Sequence, residues 1–175
     1  MMPNELPKRK KNRLEREYYS LPGSVFLTIC THQRKKILSN IVGAIHESPA
    51  VQLTRCGKMI DTLIGELQRK FPITVDQYVI MPNHIHLIIT VKDCDEVRAI
   101  RESPLQKRSI ISQVVGYLKM NATKQIHTFM SGVIFQRSFF DHVIRNEQEY
   151  AEISKYVAKN PQTWHEDSLY CEGNK

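Results

Sequence analysis

One stretch constrains this chain more than any other: Tyr78-Val79-Ile80-Met81-Pro82-Asn83-His84-Ile85-His86-Leu87-Ile88-Ile89-Thr90. Pro82 and Asn83 suit a turn, so the apolar runs on either side read as the two strands of a hairpin. Side chains alternate across a strand. Ile85, Leu87 and Ile89 therefore point into a core, while His84 and His86 share the opposite face. Two imidazoles on one rigid surface can hold a metal ion, provided at least one more ligand joins them. Spacing alone does not assign that role. With seven histidines in 175 residues, a His-x-His pair arises readily by chance, and two half-exposed polar residues on an open sheet face is the competing reading.

Elements on either side extend the hairpin into a fold. Ser24-Val25-Phe26-Leu27-Thr28-Ile29-Cys30-Thr31 is β-branched, aromatic and nearly continuous in apolarity, as a central strand covered on both faces would be. Between Arg55 and Lys70, Met59, Ile60, Leu63, Ile64 and Leu67 follow helical spacing, with Pro72 just beyond the end. A second helix is expected over residues 110–126, with Ile111, Val114, Val115, Leu118 and Ala122 on one face. Residues 135–144 read as one more extended segment. Residues 33–54 lack a clear period. They contain Ala44-Ile45-His46-Glu47-Ser48-Pro49, which returns almost unchanged as Ala99-Ile100-Arg101-Glu102-Ser103-Pro104. Two copies do not make a solenoid, so they read as loop insertions with related coding DNA or as coincidence, and no chemistry attaches to them. The order βαββαβ predicts an α+β, ferredoxin-like antiparallel sheet with both helices on one face. First and third strands are central in that plan, which sets His84 and His86 mid-sheet.

A chain of this length supports one domain with a real core, here residues 21–175. Residues 1–20 carry Lys8, Arg9, Lys10, Lys11, Arg13 and Arg16, a run that repels itself and buries nothing, so a mobile basic arm is expected. The formal net charge of +7 favours a polyanionic partner, because neutralising phosphates releases counterions; mere solubility is the alternative. Cys30, Cys56, Cys94 and Cys171 are scattered with no C-x-x-C, so neither a zinc ribbon nor a redox motif is suggested. No apolar run approaches the ~18 residues of a membrane span, and no apolar signal region follows the basic N-terminus, so a cytoplasmic location is expected.

Asn146-Glu147-Gln148-Glu149 reads as a helix N-cap with an acidic residue three positions on, supported by Tyr150, Ile153 and Val157. Tyr156 and Asn160 are four apart and project from one face, although Pro161 biases Asn160 away from helical geometry. A helix laid across the open face of the sheet would bring both to His84 and His86. That combination offers two imidazoles, an amide oxygen and a phenol. A cation held there would orient a phosphoryl group and favour the phenolate, making Tyr156 a nucleophile and a phosphotyrosine the intermediate. Taken singly, Tyr156 also reads as an amphipathic core residue and Asn160 as a C-cap.

Leu21-Pro22-Gly23, Thr28-Ile29-Cys30-Thr31-His32, the block from Tyr78 to Leu87, Gln136-Arg137-Ser138-Phe139, Asp141-His142-Val143-Ile144-Arg145-Asn146, and Tyr156 with Asn160-Pro161 follow one another in an order with a familiar sense. As a set, over roughly residues 13–165, they resemble the single-tyrosine HUH transposases, and most closely the REP-associated tyrosine transposases of bacteria. The resemblance implies His84, His86 and Asn160 as metal ligands and Tyr156 as the nucleophile. It implies Mg²⁺ or Mn²⁺, whereas two imidazoles alone would lean toward Zn²⁺, Fe²⁺ or Ni²⁺. It further implies cleavage and strand transfer of single-stranded DNA beside a hairpin, such as a REP-like palindrome, leaving a 5′-phosphate on tyrosine and a free 3′-OH. His142 matches a family position, either hydrogen-bonding near the site or stabilising a strand end. The arm from Lys8 to Arg16, with Lys119, Arg137 and Arg145, supplies candidate phosphate contacts. The two AI[HR]ESP segments look unlike the family's loops. A monomer and a homodimer both fit, with the tyrosine helix over its own site or a partner's. Two rivals remain at this point: a DNA-hairpin-binding protein that keeps the fold without the chemistry, and an RNA-binding domain, against which the histidines on the central strand argue.

Overall fold

In the structure, a computed structural model that describes residues 22–43, 50–95, 97 and 109–171, the chain runs β1 (Gly23–Cys30), β2 (Ser39–Val42), β3 (Ala50–Leu53), α1 (Arg55–Lys70), β4 (Ile73–Ile80), β5 (His84–Val91), α2 (Ile110–Ile126), β6 (Phe140–Val143) and α3 (Glu147–Lys159). The basic arm with Lys8, Arg9, Lys10, Lys11, Arg13 and Arg16 lies outside the described residues, as do both AI[HR]ESP segments.

The main sheet is antiparallel with strand order β4-β5-β1-β6, so β1 and β5 are its centre, as the ferredoxin-like plan requires. Its two faces separate by residue parity. From β1 and β5, Val25, Leu27, Ile29, Ile85, Leu87 and Ile89 enter a core shared with Ile60, Leu63, Ile64 and Leu67 of α1 and Ile111, Val114, Val115 and Leu118 of α2. Burying each such side chain contributes roughly 1.5–3 kcal/mol. Phe26 and Ile88 point the other way and meet Ile144 and Val157, so α3 covers the second face. Each helix starts at a side-chain cap: Thr54 accepts from Gly57 N, Ser109 from Ser112 N and Asn146, the cap read from the sequence, from Glu149 N.

Three expectations are corrected. Residues 33–54 are not simply aperiodic connection, because β2 and β3 pair as a small antiparallel ribbon. Four-residue strands that are only partly buried leave too short a pattern to read. The extended segment over residues 135–144 is interrupted: Phe135 makes an isolated bridge to Thr31, and regular pairing resumes only at Phe140. Between them the carbonyls of Gln136 and Ser138 turn to the Lys119 ammonium, each at 2.8 Å, instead of to β1. Asn160 also keeps helical dihedrals (φ −52°, ψ −40°) despite the proline after it. Burial of its side chain against Asp167 outweighs the local bias.

Candidate active site

Cross-strand register sets the floor of the site. His84 lies opposite Cys30 and His86 opposite Thr28, all four on the face that α3 covers. Neither imidazole is half-exposed, as a bland polar pair would be: His84 is 0% and His86 2% accessible. Each ring is oriented by its Nδ1. Asn83 gives its amide N–H to the Leu169 carbonyl at 2.8 Å, which turns its Oδ1 toward His84 Nδ1, also at 2.8 Å. Oδ1 only accepts, so this network assigns the His84 proton to Nδ1 and leaves Nε2 bare. His86 Nδ1 meets the Thr28 hydroxyl at 2.9 Å.

The two Nε2 atoms then face each other at 3.0 Å. Burial holds both rings neutral far into the acid range, with pKa values lowered to about 3. Neutral imidazole is the form that ligates metals.

From α3, Tyr156 reaches over this floor. Its Oη is 3.3 Å from His86 Nε2, and its ring meets the edge of Phe26 with the ring centroids 6.2 Å apart. Partial burial, then the negative charge of Asp167, raise the phenol pKa, and the Asn160 amide opposes them. Tyr156 stays 44% exposed, so its oxygen is reachable from outside. One turn on, Asn160 is 1% exposed; its Nδ2 donates to Asp167 Oδ2 at 2.7 Å. Its Oδ1 is buried without a hydrogen-bond partner.

Sequence reading missed Asp167. It follows the short helical turn Trp164–Glu166, and its Oδ2 lies 3.7 Å from His84 Nε2 with both side chains fully buried. The ligand atoms of His84, His86 and Asp167 all fall within 4.8 Å of one another, so this group could hold a metal ion. Only the nearness of an acidic residue beyond Asn160-Pro161 could have pointed to it, because no periodicity runs through a turn. The donor set fits a divalent cation on two observations. An amide oxygen is orphaned in the interior, where an unmade bond is costly. A buried carboxylate also faces two neutral imidazoles, an arrangement that a positive charge would complete.

Other sequence candidates fall elsewhere. His142 Nε2 binds Glu149 Oε1 at 2.6 Å, and Glu149 Oε2 accepts from Arg145 N, so this cluster ties the first turn of α3 to the end of β6. Its hydrogen bond goes to Glu149, not to the imidazole pair. The carboxylate is held below its ordinary range by these bonds, with the Arg145 backbone first. Arg137 and Arg145 are exposed, and Lys119 holds the loop after Phe135.

No family model matches the chain. In sequence it is 28% identical to an uncharacterized protein of Haemophilus influenzae, with 94% of each chain covered. It is 24% identical to the REP-associated tyrosine transposase of Escherichia coli, over 83% of this chain and 70% of that one. In fold it is similar to a solved REP-associated tyrosine transposase bound to a REP hairpin, with a TM-score of 0.56, 21% identity, and 87% and 86% of the two chains covered. The resemblance to the REP-associated tyrosine transposases thus holds in both sequence and fold.

Proposed function

We propose that this chain cuts and rejoins single-stranded DNA beside a hairpin in a metal-dependent reaction, with Tyr156 as nucleophile. The observation that carries the reading is the Tyr156 oxygen 3.3 Å from His86 Nε2, in a cluster where buried Asn160 Oδ1 has no protein partner. The name of the Escherichia coli relative and the hairpin bound to the solved one support DNA as the substrate.

His84, His86, Asn160 and Asp167 are the residues that would hold the cation, Mg²⁺ or Mn²⁺ by resemblance, and when bound it supplies charge that polarises the scissile phosphate. Thr28 and Asn83 fix the two rings so that both Nε2 atoms face inward. Tyr156 Oη attacks phosphorus in line with the departing 3′-oxygen: the O–P bond to tyrosine forms, the bond to the 3′-oxygen breaks, and the proton lost by the phenol is balanced by one gained at the 3′-OH. The 5′-phosphate stays on the protein, and attack by a second 3′-OH reverses the step. Tyr156 reaches His86 of its own chain, which supports action within one subunit. In this reading residues 21–175 are the catalytic unit, and the basic arm, Arg137 and Arg145 contact the DNA backbone. Among the described residues no helix is long and apolar enough to cross a membrane. We take the cytoplasm, where the DNA is, as the place of action.

The test is incubation of the full chain with an end-labelled single-stranded DNA hairpin and Mn²⁺, followed by denaturing electrophoresis. A protein-linked fragment is expected, and Tyr156→Phe should lower its yield about 10⁴-fold or more while hairpin binding persists. An absent adduct with binding intact would favour the silent hairpin-binding rival. Equal binding of an RNA hairpin of the same sequence would favour an RNA role.

A further inference from the structure

A cavity of about 440 Å³ opens on one side of Tyr156 and His86, within the range of ligand-sized pockets. Its floor is a single cross-strand row. Thr28 lies opposite His86 on β5 and opposite Phe140 on β6, so the three side chains share one face. Phe140 is therefore two strand spacings from His86, roughly 10 Å. Its ring is 52% exposed, although it lines the cavity with Phe26 and Tyr156. A phenyl ring left open to water beside a nucleophile has an obvious complement in the flat face of a base.

Arg34 stands at the rim. It follows Gln33, and both backbones hold φ +54°, a left-handed conformation uncommon for side chains of this size. The guanidinium donates to the Ser168 carbonyl at 3.0 Å, in the turn that carries Asp167. One such bond leaves further N–H donors for the cavity that Arg34 lines. Its charge is felt at Cys30 and His84. Unlike Lys119, it is not consumed by a pair of backbone carbonyls.

We propose that Arg34 and Phe140 form a nucleotide subsite beside Tyr156, in which Arg34 grips a phosphate adjoining the scissile one and Phe140 stacks the unpaired base attached to it. The inference rests on the DNA-cleaving reading and adds a means by which the chain tells single-stranded from paired flanks. A paired base is already stacked between its neighbours and cannot offer its face to Phe140.

The experiment measures binding of the full chain by fluorescence anisotropy. The probes are a labelled DNA hairpin with a single-stranded flank and the same hairpin with that flank annealed to a complement. The parent should prefer the unpaired flank. Phe140→Ala should lose about tenfold or more on the unpaired flank, in line with the stacking energies of aromatic platforms, and little on the annealed one; Phe140→Trp should restore the preference. Arg34→Gln should flatten the salt dependence of log K by about 0.7, the share of one single-strand phosphate, which a purely structural arginine would not do. Thermal melts establish that each variant is folded, and the equally uncharged Arg34→Met serves where Arg34→Gln is not. Equal flank preference in parent and Phe140→Ala, or an unchanged salt slope, overturns the subsite. An adduct gel run alongside separates the two ideas: no adduct from the parent sinks the cleavage reading, whereas an adduct with unaltered binding in both variants sinks the subsite alone.

Discussion

His86 and Leu87 are neighbours on β5 and point to opposite faces of the sheet, where they meet different environments. Leu87 enters a continuous apolar layer under α1 and α2. His86 enters a face whose buried apolar cluster, among the described residues, is the smaller set Phe26, Ile88, Ile144 and Val157, with imidazole, hydroxyl, amide and carboxylate beside it. The first face gains free energy with every methylene removed from water. The second gives up that gain to hold polar groups in fixed directions, and the Asn160 oxygen, buried without a hydrogen-bond partner, is a mark of that cost. One layer is built for stability, and the other is stable because the first one is.

Replacing one residue on each side should expose this division most strongly. Leu87→Ala should destabilise the chain by about 2–5 kcal/mol, since it leaves a cavity in a close-packed layer. Tyr156→Phe removes one half-exposed hydroxyl and should stay within about 0.5 kcal/mol of the parent. Urea midpoints measure both, and a Tyr156→Phe loss as large as that of Leu87→Ala would break the comparison.

A smaller effect concerns what the polar face holds. Asp167→Asn keeps the shape of the side chain but removes its charge. Mn²⁺ affinity, followed by calorimetry, should fall about 10–100-fold. Unchanged affinity would remove Asp167 from the ligand set.

The smallest is a pH dependence belonging to the polar face alone. Folded His84 and His86 have pKa values near 3, below the 6.5 of an exposed histidine, so the unfolded chain binds more protons across that interval. Their contribution is complete above about pH 6.5 and is lost as pH falls toward 3. Between pH 7 and 6, in a chelator, the chain should lose on the order of 1–2 kcal/mol, and a His84→Gln/His86→Gln double variant should lose less. Equal slopes in both proteins would mean that other groups govern acid stability.

Most of the fold was legible because it repeats. Period-two alternation in Ile85, Leu87 and Ile89, and helical spacing in Met59, Ile60, Leu63, Ile64 and Leu67, are written several times over. Caps at Asn146 and the proline after α1 set boundaries by local sterics. The ribbon of β2 and β3 escaped notice because four residues repeat nothing, and the gap before β6 because Lys119, on another element, decides it.

By itself, then, the sequence determined which side chains leave each element on the same side: His84 with His86, Tyr156 with Asn160, both through the regular geometry of one strand or one helix. Only tertiary structure decided that these two pairs meet, that Asp167 joins them from a turn, and that His142 turns to Glu149 instead. Local geometry propagates a few residues along a chain. Convergence of groups some seventy positions apart depends on how whole elements pack, and no periodicity records that.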